Sequence, residues 1–222
     1  MNRVSQVDQH VKINRALVSV YDKSDLSVLV TGLLELNPQI EIISSGGTFR
    51  RIQELLPQDF AGMLVPVEEY TGQPEMQGGL VKTLDFKIYT ALLSETYNEQ
   101  HQNDLARLNT GAIDLVVVNL YPFEQATGSS DATLEDARAN IDIGGPCMIR
   151  ASAKNFLRVS VLTDPAQYRG FVETCKTQQS CTSLQQRYHL ARAAFSRTAA
   201  YDGFIAEYLS AAELASAQYE IQ

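Results

Sequence analysis

The stretch I-E-I-I-S-S-G-G-T-F-R-R-I-Q-E-L, residues 40–55, decides the fold of this chain. Its isoleucine-rich beginning predicts a buried strand, and the pattern after Thr48 predicts a helix. Between them, Gly46 and Gly47 permit a tight turn at which a ligand can approach bare backbone. Because a helix N-terminus presents free N–H groups and the positive end of the helix dipole, this strand–turn–helix unit is typical of a phosphate-binding site. A plain connection capped by Thr48 is the alternative interpretation.

Elements of the same kind lie on both sides of this unit. Residues 15–20 (R-A-L-V-S-V) predict a buried strand, and the apolar residues from Leu26 to Leu34 predict a helix capped by Ser24. Residues 63–67 (M-L-V-P-V) predict a short strand near the edge of the sheet, since proline cannot donate a ladder hydrogen bond. The resulting β-α-β-α-β order implies a mostly parallel sheet with helices on both faces.

The rest of the chain supplies a central strand and mostly helical elements. Residues 88–108 predict a helix with a break near Asn98, and residues 114–119 (D-L-V-V-V-N) predict a strand buried on both faces. Tyr121 and Pro122 follow the carboxyl end of that strand, where ligands bind in open α/β sheets. The remaining predicted elements are a capped helix (133–140), a Gly-Gly turn (144–145) opening a helix that ends near Asn155, a last strand (159–162), and helices at 167–176 and 184–217.

The composition argues against nucleic-acid, membrane and metal-dependent functions. The 222 residues carry 18 basic and 26 acidic side chains, and the net charge of −8 disfavours binding to nucleic acid or an anionic membrane. No apolar run reaches the length of a membrane span and residues 1–10 lack the apolar core of a signal peptide, so we expect a cytoplasmic protein. The cysteines form no C-x-x-C and the histidines show no metal-ligand spacing, so we expect reduced thiols and no metal site.

Candidate catalytic side chains lie at predicted strand ends or close to Gly-rich turns: Lys82, Tyr121, Asp142 and Lys154. This set suits proton transfer and oxyanion stabilisation without a cofactor. A lysine can steer an anion or act as acid or base when its pKa shifts, and an aspartate can take a proton from a nitrogen nucleophile. A phenol can donate a hydrogen bond to a developing oxyanion. Taken singly, each residue has an ordinary structural explanation. Lys82 is typical of a surface lysine, Tyr121 of a residue at the end of a strand, and Asp142 of a residue that caps the following turn. The hypothesis of a catalytic site therefore depends on their occurring together.

A series of motifs connects these residues. In chain order they are S-V-Y-D-K-S (19–24), S-S-G-G-T (44–48), Y-T-G-Q-P-E-M-Q-G-G (70–79), V-K-T-L (81–84), V-V-N-L-Y-P-F (117–123), N-I-D-I-G-G-P (140–146), A-S-A-K-N (151–155) and F-S-R-T-A-A-Y-D (195–202). On these motifs the chain resembles the IMP cyclohydrolase domain of the bifunctional AICAR transformylase/IMP cyclohydrolase family, from about Arg15 to about Tyr208. The resemblance implies a methylglyoxal-synthase-like, three-layer α/β fold, a purine ribonucleotide substrate and no cofactor.

The implied reaction closes the six-membered purine ring. The carboxamide nitrogen of 5-formamidoimidazole-4-carboxamide ribotide (FAICAR) attacks the formyl carbon, and loss of water gives inosine monophosphate (IMP). By resemblance, the residues that hold the 5′-phosphate are Ser19, Lys23, Ser45, Gly46, Gly47 and Thr48, and the other substrate contacts come from Thr83, Asn119, Ile143 and Gly144. Asp142 with Lys154 is expected to activate the carboxamide nitrogen, while Lys82 and Tyr121 assist proton transfer and the oxyanion. The backbone N–H groups of Ile143 and Gly144 are expected to contribute to the oxyanion site and to base contacts.

The sequence divides into a polar tail (1–14), a methylglyoxal-synthase-like α/β domain (15–165) and a C-terminal helical extension (166–222). We interpret residues 1–10 of this segment as a loose tail. The resemblance further implies a homodimer. Because the family's transformylase half has no counterpart in this sequence, a separate AICAR transformylase is a candidate partner. The alternatives to a cyclohydrolase are a non-catalytic, regulatory purine-nucleotide-binding domain of the same fold and an enzyme acting on a related ribotide.

Departures from the family's usual pattern motivate those alternatives. Tyr21 stands where the family has serine, Leu80 where it has arginine, and Asp85 and Tyr89 where it has histidines. Leu80 lacks a cation that could contact substrate, and Tyr21 adds bulk near the phosphate. Loss of one charge-assisted hydrogen bond weakens binding by about 1.5–3 kcal/mol. A slow cyclohydrolase is therefore compatible with the sequence.

Overall fold

The computed structural model describes residues 3–74, 81–129 and 131–214 of the chain. The strands are β1 (His10–Lys12), β2 (Arg15–Val20), β3 (Glu41–Ser44), β4 (Leu64–Pro66), β5 (Leu115–Asn119), β6 (Ser160–Leu162) and β7 (Cys181–Ser183). Five of them form a parallel sheet in the order β4-β3-β2-β5-β6. The other two, β1 and β7, pair as an antiparallel ribbon.

Helices cover both faces of this sheet. They are α1 (Leu26–Leu36), α2 (Gly46–Leu55), α3 (Val67–Thr71), α4 (Phe86–Leu93), α5 (Glu99–Arg107), α6 (Phe123–Thr127), α7 (Leu134–Ala139), α8 (Gly144–Lys154), α9 (Gln167–Thr177) and α10 (Leu184–Ala211), with a 3-10 helix at Gln58–Met63. In the part of the chain that the structure describes, no helix is both long and apolar enough to cross a membrane.

The alternation of side chains along the central strands separates two hydrophobic cores. Leu17 and Val116 pack on one face with residues of α4, α8 and α10. Their neighbours Ala16 and Val117 pack on the other face with residues of α1, α2 and α9. Because successive side chains of a strand point to opposite faces, this division follows from the sequence period. The result is the three-layer α/β fold that the strand and helix pattern predicted.

Several local predictions agree with the structure and two differ. The strand at 64–66 lies at the sheet edge, β5 is buried along its whole length, and the helical pattern breaks at Asn98, which caps α5. Helix α2 begins at Gly46 rather than Thr48, since the glycine pair itself forms the first turn. Helix α1 has Asp25, not Ser24, at its N-cap, in a left-handed conformation without a side-chain cap.

The N-terminal segment is partly built into the fold, in contrast to the loose tail expected for residues 1–10. His10–Lys12 pairs with β7, and Ile13 is buried. The guanidinium of Arg187, itself fully buried, donates hydrogen bonds to backbone carbonyls that include those of Asp8 and Thr182. Burial lowers the pKa of Arg187 to about 10. Arg187, which belongs to helix α10, thereby holds the N-terminal segment near Asp8 against the C-terminal part of the fold, although these residues lie far apart in sequence.

Candidate active site

A cavity of about 540 Å³ opens at the carboxyl ends of β2, β3 and β5. It brings together the predicted site residues Ser19, Lys23, Ser45, Gly46, Gly47, Thr48, Lys82, Thr83, Asn119, Tyr121, Asp142, Ile143 and Gly144. The parallel topology explains this convergence, because neighbouring parallel strands end at one edge of the sheet and their loops meet there. Both Gly-Gly turns therefore face the same space.

The first Gly-Gly turn has the geometry of an anion site. Gly46 has a φ of 51°, and the Ser45 carbonyl accepts hydrogen bonds from the amides of Thr48 and Phe49. Gly46 and Gly47 are the first two residues of α2. The first amides of a helix have no partner within the helix, so these two N–H groups are in the position where helices bind anions. The hydroxyl oxygens of Ser19 and Ser45 lie 3.3 Å apart beside this turn.

Two lysines flank the same turn. The Nζ atoms of Lys23 and Lys82 each lie 3.8 Å from the positions that a Cβ would occupy at Gly47 and Gly46, respectively. Lys82 is mostly buried and forms an ion pair with Glu68, with 3.4 Å between Nζ and Oε1. Glu68 fixes the ammonium group at the turn, and sequence reasoning did not single it out. Two cations and a helix N-terminus together favour a phosphate group here.

Two predicted ligand-binding side chains are engaged with the protein backbone instead. The Thr48 hydroxyl, which is buried, accepts a hydrogen bond from the Val20 amide (3.0 Å) and donates one to the Val20 carbonyl (2.9 Å). Asn119 accepts from the amides of Tyr21 and Asp22 through Oδ1 and donates to the Asp22 carbonyl. Both side chains therefore shape the site: Thr48 holds the start of α2 against β2, and Asn119 holds the Tyr21–Asp22 backbone at the end of β5.

Asp142 occupies the second Gly-Gly turn. Its Oδ1 accepts a hydrogen bond from the Gly145 amide at 2.8 Å, and its own amide donates to the Tyr201 hydroxyl at 2.8 Å. Burial raises the pKa of the Asp142 carboxyl, although hydrogen bonds from the amides of Gly145 and Tyr121 oppose this shift. A carboxylate with a raised pKa is a stronger base than an ordinary aspartate. Tyr201 lies in the helix predicted at 184–217 and in the motif at 195–202, but sequence reasoning did not assign it to the site.

Glycine is required in this turn for steric reasons. A Cβ at Gly145 would lie 2.5 Å from Asp142 Oδ2 and 2.7 Å from Leu120 Cδ2, and one at Gly144 would lie 2.7 Å from Thr83 Oγ1. The segment that carries Lys82 and Thr83 thus reaches from the first Gly-Gly turn to the second. This segment therefore connects the anion site at the first turn with the Asp142 carboxylate at the second.

The mouth of the cavity is aromatic. The Tyr121 and Tyr21 rings are 49% and 53% exposed, and their centroids lie 5.4 Å apart at an interplanar angle of 84°. Tyr21 follows β2 and Tyr121 follows β5, and these strands are neighbours in the sheet. The pair results from topology, since the two residues are far apart in sequence.

The structure does not place Lys154 in this cavity, although the sequence predicted that it acts with Asp142. Helix α8 begins at the site with Gly144 and ends with Lys154, the last of its 11 residues. The ten steps between them span about 15 Å at 1.5 Å per residue. Lys154 instead lines a second, more apolar cavity of about 660 Å³ together with Tyr89, Cys147 and Arg150. Within one chain, Lys154 and Asp142 are therefore separated by the length of the helix.

Two of the positions that depart from the family pattern, Asp85 and Tyr89, lie outside the 540 Å³ cavity. Asp85 caps α4, its Oδ1 accepting from the Lys87 amide at 2.7 Å. Tyr89 lines the second cavity, and burial raises the pKa of its hydroxyl. Neither residue lines the 540 Å³ cavity, and Leu80 lies outside the described residues. Among residues 3–74, 81–129 and 131–214, no group of three His, Cys, Asp or Glu side chains is arranged to hold a metal ion.

Comparison with known proteins gives matches along most of the chain. The family model described as "MGS-like domain" matches residues 25–147, and the one described as "AICARFT/IMPCHase bienzyme" matches residues 152–222. "Bifunctional purine biosynthesis protein PurH" of Magnetococcus marinus is 43% identical over 201 residues, 90% of this chain and 36% of that protein. Its Bacillus subtilis counterpart is 44% identical over 199 residues, 89% of this chain and 37% of that protein. The chain thus spans little more than a third of the length of these relatives.

A solved structure resembles the fold directly. The chain in "Crystal structure of ForH" superposes with a TM-score of 0.71 at 29% identity, covering 87% of this chain and 97% of that one. Together with the family models, this likeness confirms the fold class and the resemblance that the motifs indicated.

Proposed function

This chain belongs to the MGS-like domain family, and we propose that it is an IMP cyclohydrolase that converts FAICAR to IMP and water in purine biosynthesis. The observation that carries the proposal is that the Gly46–Gly47 turn, Tyr121 and the half-buried Asp142 meet in one cavity. A phosphate site beside a general base and a phenol matches a ribotide that cyclises by proton transfer. The names of the PurH relatives place them in purine biosynthesis, and the family model matched at residues 152–222 includes IMPCHase in its description, which supports the proposal.

The 5′-phosphate binds at the first Gly-Gly turn. Its oxygens accept hydrogen bonds from the amides of Gly46 and Gly47 and from the hydroxyls of Ser19 and Ser45. Lys23 and Lys82 neutralise its charge, since both ammonium groups flank the turn. This places Lys82 on the phosphate side of the cavity, as an electrostatic group rather than a proton carrier.

Ring closure takes place at the second Gly-Gly turn. Asp142 accepts the proton of the carboxamide nitrogen as that nitrogen attacks the formyl carbon, and its raised pKa suits this role. Tyr121 and the amides of Ile143 and Gly144 donate hydrogen bonds to the formyl oxygen, which gains negative charge. That oxygen then leaves as water with the proton that Asp142 accepted and the proton of the formamide nitrogen. The C–O bond breaks as a C=N bond forms in the new ring, and no oxidation state changes.

Lys154 takes part only if a second copy of the chain supplies it. The 660 Å³ cavity that Lys154 lines is an open, mostly apolar groove formed largely by α8 and α10. Such a groove is suited to contact with a second subunit. We therefore propose a homodimer in which Lys154 of one copy completes the site of the other. A cytoplasmic location and a separate transformylase that supplies FAICAR belong to the same proposal.

The test is direct turnover. Purified protein is mixed with FAICAR, and IMP formation is followed by chromatography, with Asp142→Asn as the matched control. Formation of IMP by the wild type, lost in the variant, is the expected result. Binding of IMP without turnover would overturn the proposal and favour a nucleotide-sensing domain or an enzyme for a related ribotide.

A further inference from the structure

Tyr21 stands opposite the proposed oxyanion donor. We infer that Tyr21 is a positioning residue, which holds the Tyr121 ring edge-to-face so that the Tyr121 hydroxyl points at the reacting formyl oxygen. This inference rests on the proposed function, in which Tyr121 stabilises the oxyanion. Its basis is the T-shaped contact between the two rings, with centroids 5.4 Å apart and an angle of 84°.

The Tyr21 backbone is held at fixed points of the site. Its amide donates to Asn119 Oδ1 at 2.7 Å, and its carbonyl accepts from Lys23 Nζ at 3.0 Å. Asn119 ends β5, and Lys23 flanks the phosphate turn. The loop that carries the Tyr21 ring is therefore held by two residues of the candidate site, Asn119 and Lys23.

Tyr121 needs such a support. Its backbone is held by a hydrogen bond of 2.9 Å that its carbonyl accepts from the Phe123 amide. Its ring, however, is 49% exposed, and exposed side chains change rotamer within nanoseconds. An aromatic neighbour at right angles favours one ring orientation. Tyr21 thus restricts the one part of Tyr121 that the backbone contacts leave free to rotate.

The experiment measures FAICAR turnover in a double-mutant cycle. Tyr21→Ala is expected to lower kcat about three- to tenfold, the size of an aromatic-pair coupling, with KM changed less than about twofold. Tyr21→Phe keeps the ring contact and should recover most of that loss. In the Tyr121→Phe background, which lacks the hydroxyl, the further change Tyr21→Ala should lower kcat much less than it does alone.

The control is Tyr97→Ala, because Tyr97 is also 53% exposed but does not line the cavity. Equal losses of kcat from Tyr21→Ala in both backgrounds would overturn the inference and leave the cyclohydrolase function intact. A rise in KM alone would overturn it too, since that result makes Tyr21 a ligand contact. Absence of turnover in the wild type would instead overturn the proposed function, and the positioning role of Tyr21 with it.

Discussion

The Asp142 carboxylate, the proposed base, accepts a 2.8 Å hydrogen bond from the Gly145 amide at the start of helix α8. The bond ties the orientation of the carboxylate to the backbone of the second Gly-Gly turn. It also stabilises the charged form, while burial opposes that form and raises the pKa overall. Position and basicity of this carboxylate are therefore set by the same few residues.

Replacing this carboxylate should separate catalysis from binding. Asp142→Asn keeps the size of the side chain and an oxygen that can accept the Gly145 bond, but it cannot take a proton. We expect kcat for FAICAR to fall about a hundredfold to ten-thousandfold, the usual contribution of a general base. IMP affinity, measured by calorimetry, should change little. A variant with near-normal kcat would remove Asp142 from its proposed role.

The raised pKa of Asp142 also predicts how stability depends on pH. The unfolded chain releases this proton near the ordinary value of 3.8, while the folded protein holds it to higher pH. Between these two pKa values the folded state binds more protons, so this group lowers the free energy of unfolding as pH rises. Asparagine does not ionise.

The free energy of unfolding of Asp142→Asn, minus that of the wild type, should therefore increase with pH and then level off. Urea denaturation of both proteins from about pH 4 to about pH 7 measures this difference, in which the contributions of other groups cancel. A difference that decreases with pH would show that the folded state favours the charged carboxylate.

The steric constraint at Gly145 predicts loss of activity without a change of any polar group. A Cβ there would lie 2.5 Å from Asp142 Oδ2, so Gly145→Ala should displace the carboxylate and lower kcat about a hundredfold, as a misplacement of about 1 Å can. The matched control is Gly170→Ala in α9, where a Cβ meets nothing within 4 Å. That substitution should raise the free energy of unfolding by about 0.5–1 kcal/mol and leave kcat unchanged. Similar kcat values for the two variants would contradict the constraint.

The phosphate assignment predicts that affinity depends on the phosphate group of the ligand. Lys23→Gln should weaken IMP binding about tenfold, the lower end of the effect of a charge-assisted hydrogen bond, because Lys23 is exposed. Inosine, which lacks the phosphate, should bind wild type and variant alike. Lys12→Gln, an exposed lysine in β1, serves as the control. An equal loss for inosine would place Lys23 elsewhere on the ligand.

The position of Lys154 predicts complementation between copies. In a symmetric dimer formed by Asp142→Asn and Lys154→Ala chains, one site loses both residues and the other retains both. Co-expressed in equal amounts, the two inactive variants should recover about a quarter of the wild-type activity, because about half of the dimers are mixed. Each variant alone supplies the baseline. No recovery would mean that Lys154 acts within its own chain or not at all.

Sequence pattern determined the layers of this protein and most residues of the candidate site. The isoleucine and valine runs of β3 and β5 and the Gly-Gly turns are local signals, and parallel strands must end at a common edge. Residues placed directly after those strands or in those turns, such as Ser45, Tyr121 and Asp142, therefore meet in one cavity. The local sequence pattern was therefore enough to predict these site residues, because the backbone geometry of parallel strands alone brings them together.

Tertiary structure decided which of these groups are available to a ligand and which lie together. Thr48 and Asn119 carry suitable polar atoms, but the strand packing directs those atoms to Val20 and to Tyr21–Asp22. Lys154 shares a helix with the second Gly-Gly turn, yet the rise of that helix carries it to another cavity. The contacts of Thr48 and Asn119 depend on distances between segments far apart in the chain, which side-chain packing sets and residue spacing does not encode.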